Sequence, residues 1–215
     1  MTPVAQVGRT IADAGGRVLA GATHLVADLR ATEKPLHPHG RLVRARLIRY
    51  GAPQPTGVRW LDEGGDDEAL VRTSRAIGTP PRLPDFHGLA VRVPDGGAGY
   101  ADLLFATTAW NRIGRHVLVP TLATGPTLST LLPYKTAAGP VVLGARHVGT
   151  AYQLYWAPVG GGWSDLGELR METAEEPDAV VSFDPVLHHP PGLTPYPWVA
   201  RLRERSYAVA RASRR

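Results

Sequence analysis

Cysteine is missing from all 215 residues. That excludes disulfide staples, thiolate metal centres, a cysteine nucleophile and a thiolate-ligated heme. Lysine is nearly missing: Lys34 and Lys135 are the only two, so almost every basic residue of this chain of net charge +5 is arginine. Aromatics make up 7% of the chain, which leaves the bulk of any core to aliphatic side chains. No window approaches the roughly 18 uninterrupted apolar residues that a membrane-spanning helix needs. The N-terminal apolar stretch from Val4 to Ala22 is broken by Gln6, Arg9, Asp13 and Arg17, so a secretory core is not expected and a cytoplasmic protein is. Several catalytic signatures are also lacking: no Gly-x-Ser-x-Gly elbow, no P-loop, no dinucleotide fingerprint and no His-Glu-x-x-His pair. Gly96-Gly97-Ala98-Gly99 does not stand between a buried parallel strand and a helix, so it reads as a turn rather than a phosphate cradle.

What is present points to short strands. Glycine (24) and proline (20) are abundant, favouring many turns over a helical bundle. Residues 1–31 carry a helical period through Val4, Val7, Ile11, Ala14, Val18, Ala22, Leu25 and Leu29, with a break on offer at Gly15-Gly16. From Arg41 the pattern changes. Strands are expected at Arg41–Arg49, Gly57–Leu61, Gly88–Val93, Asp102–Thr107, Pro140–Val148, Tyr152–Pro158, Leu166–Glu172 and Ala179–Phe183, separated by turn-forming clusters. The acidic run Asp62–Glu68 reads as a solvated loop, and Pro185–Pro197 as a surface connection. Trp198–Arg215 returns to a helical period. The expectation is one α+β domain over 1–215: an antiparallel β-barrel of about eight strands within 32–183, an N-terminal helical segment, and a C-terminal helix over 198–215.

Two segments carry candidate chemistry. On the C-terminal helix Arg203, Tyr207, Arg211 and Arg214 share one face, so a phenol is flanked by guanidinium groups. Nearby positive charge favours a phenolate, and tyrosinate is one of the ligands by which proteins hold heme iron. The same arginines also fit a basic nucleic-acid-binding helix, although no aromatic platform interleaves with them and Glu204 interrupts the charge. Near the other end, His37-Pro38-His39 places two imidazoles in an extended segment, with no third metal ligand identifiable.

In order along the chain, these and two further segments resemble the catalase superfamily, in a small, minimal-domain form. Glu33-Lys34-Pro35-Leu36-His37-Pro38-His39-Gly40 resembles the family's Glu-Arg-x-x-His-x-x-Gly. Val71-Arg72-Thr73-Ser74 resembles its Val-Arg-Phe-Ser, and Asp85-Phe86-His87-Gly88-Leu89-Ala90-Val91-Arg92 its Asp-x-Arg-Gly-Phe-Ala-Val-Lys. Arg203-x-x-x-Tyr207 with Arg214 resembles its proximal motif. The resemblance implies heme b as cofactor with Tyr207 as the iron ligand and Arg203 moderating its basicity. It implies His37 as the distal acid–base group and Ser74 as the residue orienting it. Lys34, Arg72, Arg211 and Arg214 are the cations expected around the heme and its propionates. The family's distal Asn is replaced within Ala106-Thr107-Thr108, and Thr107 or Thr108 is expected to stand in for it. A stacking aromatic is not identifiable, Val119 being a poor candidate. These departures favour a heme peroxidase, acting with hydrogen peroxide or an organic hydroperoxide, over rapid catalase turnover. The alternative is a non-catalytic heme-binding module for storage or sensing. The expected partners are a peroxide and a small-molecule substrate rather than a membrane or a nucleic acid, and a homo-oligomer is compatible with the sequence.

Overall fold

The computed structural model describes residues 40–80, 82–122, 126–175 and 181–199. The helical segment expected over 1–31 and nearly all of the C-terminal helix lie outside these residues; residues 197–199 are helical.

Strand β1 (Gly40–Arg49) shows how the sequence builds the sheet. Val43, Ala45 and Leu47 alternate with Arg44 and Arg46; the former are buried and the latter exposed. A period of two puts one set on each face of an extended chain. A similar alternation recurs in β2 (Gly65–Arg75), β3 (His87–Pro94), β4 (Tyr100–Thr107), β8 (Ala151–Pro158) and β9 (Ser164–Glu175), whereas β7 (Gly139–Val148) is buried on both faces from Val141 to Ala145; the short strands β5 (Thr127–Ser129) and β6 (Tyr134–Thr136) join them. The neighbours run β7-β5-β4-β3-β2-β1-β9-β8, and β8 pairs back onto β7. The result is a closed antiparallel barrel of eight strands. Closure removes the free edges that an open sheet would expose. Strand β6 pairs with β7 alongside β5, and β10 (Thr194–Pro195) extends the sheet from β6.

The barrel interior is aliphatic: Leu47, Leu103, Leu143, Leu154 and Leu169 are fully buried there. One end is plugged. Between β1 and β2 a single helical turn, α1 (Arg59–Asp62), drives Trp60 and Leu61 into the core beside Val58. Asp62 fixes that turn by accepting hydrogen bonds from the Thr56 amide (2.7 Å), the Thr56 hydroxyl (2.7 Å) and the Gly57 amide (3.0 Å). The expected strand at Gly57–Leu61 is therefore this turn, because Asp62 ties the backbone into a loop that cannot extend.

The acidic run is likewise corrected. Asp66, Asp67 and Glu68 belong to β2 and lie against β1's Ile48, Leu47 and Arg46. Asp66 accepts from Arg46 (2.6 and 3.0 Å) and Asp67 from Arg49 (3.3 and 3.1 Å). The acidic residues complement the arginines across the strand pair. Of the strand expected at Ala179–Phe183, residues 181–183 are irregular, and 179–180 lie outside the described residues. The 185–197 connection is not wholly superficial, since it carries β10 and the fully buried Leu193. No helix among the described residues is long and apolar enough to cross a membrane.

One contact sets the β1–β9 approach. A β-carbon on Gly167 would collide with the backbone carbonyl oxygen of Ile48, and backbone cannot rotate away as a side chain can. Gly167→Ala is expected to lower stability by about 2–3 kcal/mol, read as a lower urea midpoint at unchanged slope. An unchanged midpoint would show that the strands do not approach so closely.

Candidate active site on the outer barrel wall

The register aligns three rows of side chains across the outer face of β1–β4. The first runs Gly40, Ser74, Gly88, Ala106 and on to Ser129 of β5. The second runs Leu42, Arg72, Ala90, Leu104, and the third Arg44, Leu70, Arg92, Asp102. Across five strands the first row holds nothing larger than serine. At about 4.8 Å per strand this makes a smooth floor roughly 19 Å wide. Beside it, Leu42, Ala90 and Phe183 form a second apolar cluster with Leu70, Leu104 and Val181 packed against it. Outer-face leucines are normally solvated; here Leu42 is 4% exposed.

The third row anchors the chain that crosses this face. Asp102 is fully buried and accepts from Arg92 Nε (2.7 Å), Arg92 Nη2 (2.8 Å) and the Asp184 amide (2.7 Å). Arg92 also donates to the Ser182 carbonyl (2.7 Å) and lies over the rings of Tyr100 (3.9 Å) and Phe183 (5.0 Å). Hydrogen bonding to Asp102 raises the Arg92 pKa further above its ordinary value, overriding its burial.

Two of the expected site residues therefore come together: Arg72 and Ser74 share the outer face, in neighbouring rows. Among the described residues Ser74 Oγ has no hydrogen-bond partner. The guanidinium of Arg72 lies where a β-carbon on Gly40 would stand, so only glycine leaves it that place. Thr107 is a correction. Alternation turns it to the barrel interior, where it is fully buried and its hydroxyl accepts from the His87 amide (3.3 Å). The residue on Ser74's face is Ala106. The next position back on that face is Thr108, 4% exposed, whose hydroxyl is buried with no partner. Val119, the stacking candidate, is 37% exposed beyond β4. His37, Lys34, Arg203, Tyr207, Arg211 and Arg214 lie outside the described residues. Among the described residues no three His, Asp or Glu side chains group as metal ligands.

Catalases occur among the solved structures that superpose on this chain. Catalase A from Saccharomyces cerevisiae matches with a TM-score of 0.58 and 12% identity, covering 88% of this chain and 62% of that one. A fungal catalase matches with a TM-score of 0.58 and 13% identity, over 89% of this chain and 61% of that one. The barrel is catalase-like. The likeness is one of fold, and this chain spans less than two thirds of the length of either catalase. No family model and no curated protein matches the sequence.

On this catalase-like barrel the outer wall has the chemistry of a holder for a flat, largely apolar plate with an anionic edge. It offers a floor without projecting side chains, flanking leucines, an arginine at its margin, and two hydroxyls with no partner among the described residues. Sequence reading missed what lies further along the same row. Ser129 pairs with Gly144, where a β-carbon would meet Trp163 at 2.7 Å and Trp110 at 3.1 Å. Those rings stack at 4.5 Å, with Arg115 over Trp163 (4.5 Å) and Arg146 over Trp110 (4.6 Å). Arg115 is fully buried. Desolvation lowers its pKa, with repulsion from Arg112 adding to it. Burial likewise lowers the pKa of the adjacent His116, against a hydrogen bond from Nδ1 to the Leu131 carbonyl (2.7 Å). Periodicity could not reveal this stack, because its members come from two loops, a single 3-10 turn and one strand.

Proposed function

We propose that this protein is a heme-dependent oxidoreductase that uses hydrogen peroxide or an organic hydroperoxide to oxidise a small molecule. One observation carries the reading: on a catalase-like barrel, Arg72 and Ser74 flank and enter a row of side chains no larger than serine. That wall suits a porphyrin lying flat, with Arg72 placed for a carboxylate at its edge.

Heme, when bound, supplies an iron centre at which a peroxide O–O bond is broken. The rest of the chemistry belongs to the chain. Tyr207 would hold the metal as its phenolate, with Arg203 limiting that oxygen's basicity by hydrogen bonding. Lys34, Arg72, Arg211 and Arg214 neutralise the carboxylates and the ring's surroundings. An imidazole nitrogen of His37 takes the proton from the hydroperoxide and returns it to the departing oxygen. Ser74 Oγ orients that ring through its second nitrogen. The Thr108 hydroxyl, not that of Thr107, takes the polar role expected of one of them.

Purified protein reconstituted with hemin is expected to show a Soret band that shifts on adding peroxide, and an electron donor should then be oxidised. Tyr207→Phe should lose most of that heme. A chain that takes up no hemin would overturn the proposal. A storage or sensing module is the second reading. Ala106 favours it, because no amide faces the peroxide from that row; bound heme inert to peroxide would select it.

A further inference from the structure

Among the described residues nothing covers the end of the barrel opposite α1. There the ends of β1, β2, β3, β7, β8 and β9 surround a cavity of about 550 Å³, the size of a small-molecule site. The strand ends place Arg41, Arg75, His87, His147, Tyr152 and Glu172 around it. The two-residue turn Gly149-Thr150 sets His147 directly across from Tyr152, with ring centroids 4.9 Å apart and the planes at 67°.

We propose that this mouth binds a small organic carboxylate, its head group held by Tyr152 and His147 and its body inside the barrel rim. Tyr152 is only 9% exposed, yet its hydroxyl has no hydrogen-bond partner among the described residues. The His147 ring nitrogens have none either, although the ring is half-buried. Both side chains line the cavity, so their polar atoms are reached from it and the side-by-side pair is poised for an outside partner. Burial raises the phenol pKa, which keeps Tyr152 a donor near neutrality. Two guanidiniums, donors only, stand in the same wall: Arg75 is paired with the buried Asp85 (3.4 Å), Arg41 donates to the Thr173 carbonyl (3.0 Å), and Glu172 is the carboxylate that lines the cavity itself. A donor-rich wall calls for an acceptor-only head group, and a carboxylate is one. The remaining wall includes Met171, Pro126 and the Tyr152 ring, an apolar surface that an inorganic anion would leave uncovered. Ser74 and Gly88 border this cavity as well as the outer row, but the proposal stands on the barrel interior and does not require heme.

Calorimetric titration of the full-length chain, with and without hemin, tests it. Benzoate and hexanoate are the probes, benzamide is the neutral isostere, and inorganic phosphate is the small-anion competitor. Benzoate is expected to bind at least about tenfold more tightly than benzamide in both samples. Tyr152→Phe and His147→Phe should each weaken it about five- to tenfold, the size of one lost hydrogen bond to a charge, at unchanged melting temperature. Benzoate contacting only an iron centre would bind the hemin sample alone and ignore both substitutions, which overturns the proposal. So would equal affinity for benzamide, or displacement of benzoate by equimolar phosphate. Failure of hemin uptake with carboxylate binding intact would sink the heme reading and leave this one standing.

Discussion

Asp102→Ala is expected to remove about 3–5 kcal/mol of folding stability, the cost typical of breaking a buried ion pair from one side. The loss is compounded by geometry. Asp102 closes a fork on Arg92 and also accepts the Asp184 amide, so its removal takes the counter-charge from a largely buried guanidinium and the partner from a buried N–H together. Domains are held by roughly 5–15 kcal/mol in total, so the variant should be marginal at 37 °C. The 181–189 chain should detach first, because Arg92 and Asp102 hold it through Ser182, Asp184 and His188. Urea unfolding measures the loss, and limited proteolysis locates it. Replacing both partners with apolar residues, Arg92→Met with Asp102→Leu, should recover much of the stability, since neither charge is then stranded. A single-variant loss below about 1 kcal/mol would show that the pair is not what pins this segment.

How far the sequence foretold this architecture depended on which force shaped each element. Strands with aliphatic alternation were legible: β1, β3, β4, β8 and β9 fall where period two places them, and β7 stands out as a short apolar run instead. β2 was only half legible. Its Val71-Arg72-Thr73-Ser74 end stood out by resemblance, whereas its Asp66-Asp67-Glu68 start looked like a loop. Acidic residues in a strand make sense only once Arg46 and Arg49 are known to lie across from them, and pairing is a long-range fact. The turn at 59–62 was lost to Asp62, whose hydrogen bonds outweigh the extended preference of its neighbours. β5, β6 and β10 have two or three residues each, too few for any period. The site was legible to the same degree. Resemblance put Arg72 and Ser74 together, and register confirms they share a face. Of the two threonines, parity separates Thr107, turned to the interior, from Thr108: one residue's shift along a strand exchanges the outer wall for the interior. The mouth pair His147 and Tyr152 had a readable signal in the two-residue turn between their strands, and it went unused.

His37→Ala is expected to lower peroxide turnover by about 10²–10⁴-fold, the usual contribution of a positioned acid–base group, while leaving heme content and the Soret position close to those of the parent. The chain itself limits where this imidazole can be. His37 precedes Gly40 by three residues, and three extended residues span at most about 11 Å. Gly40 is the first member of the small-residue row and pairs directly with Ser74. That length of chain is compatible with the proposed role, in which the imidazole serves a ligand lying on that row. Ser74→Ala should act differently from His37→Ala. A hydroxyl that only orients the ring should cost about tenfold or less and shift the acidic limb of the pH–rate profile, because it changes which nitrogen carries the proton. His37→Gln, which keeps a hydrogen bond but carries no exchangeable charge, should stay as slow as the alanine variant. Fast turnover in His37→Gln would remove proton transfer from the role of this residue and leave it only a polar contact.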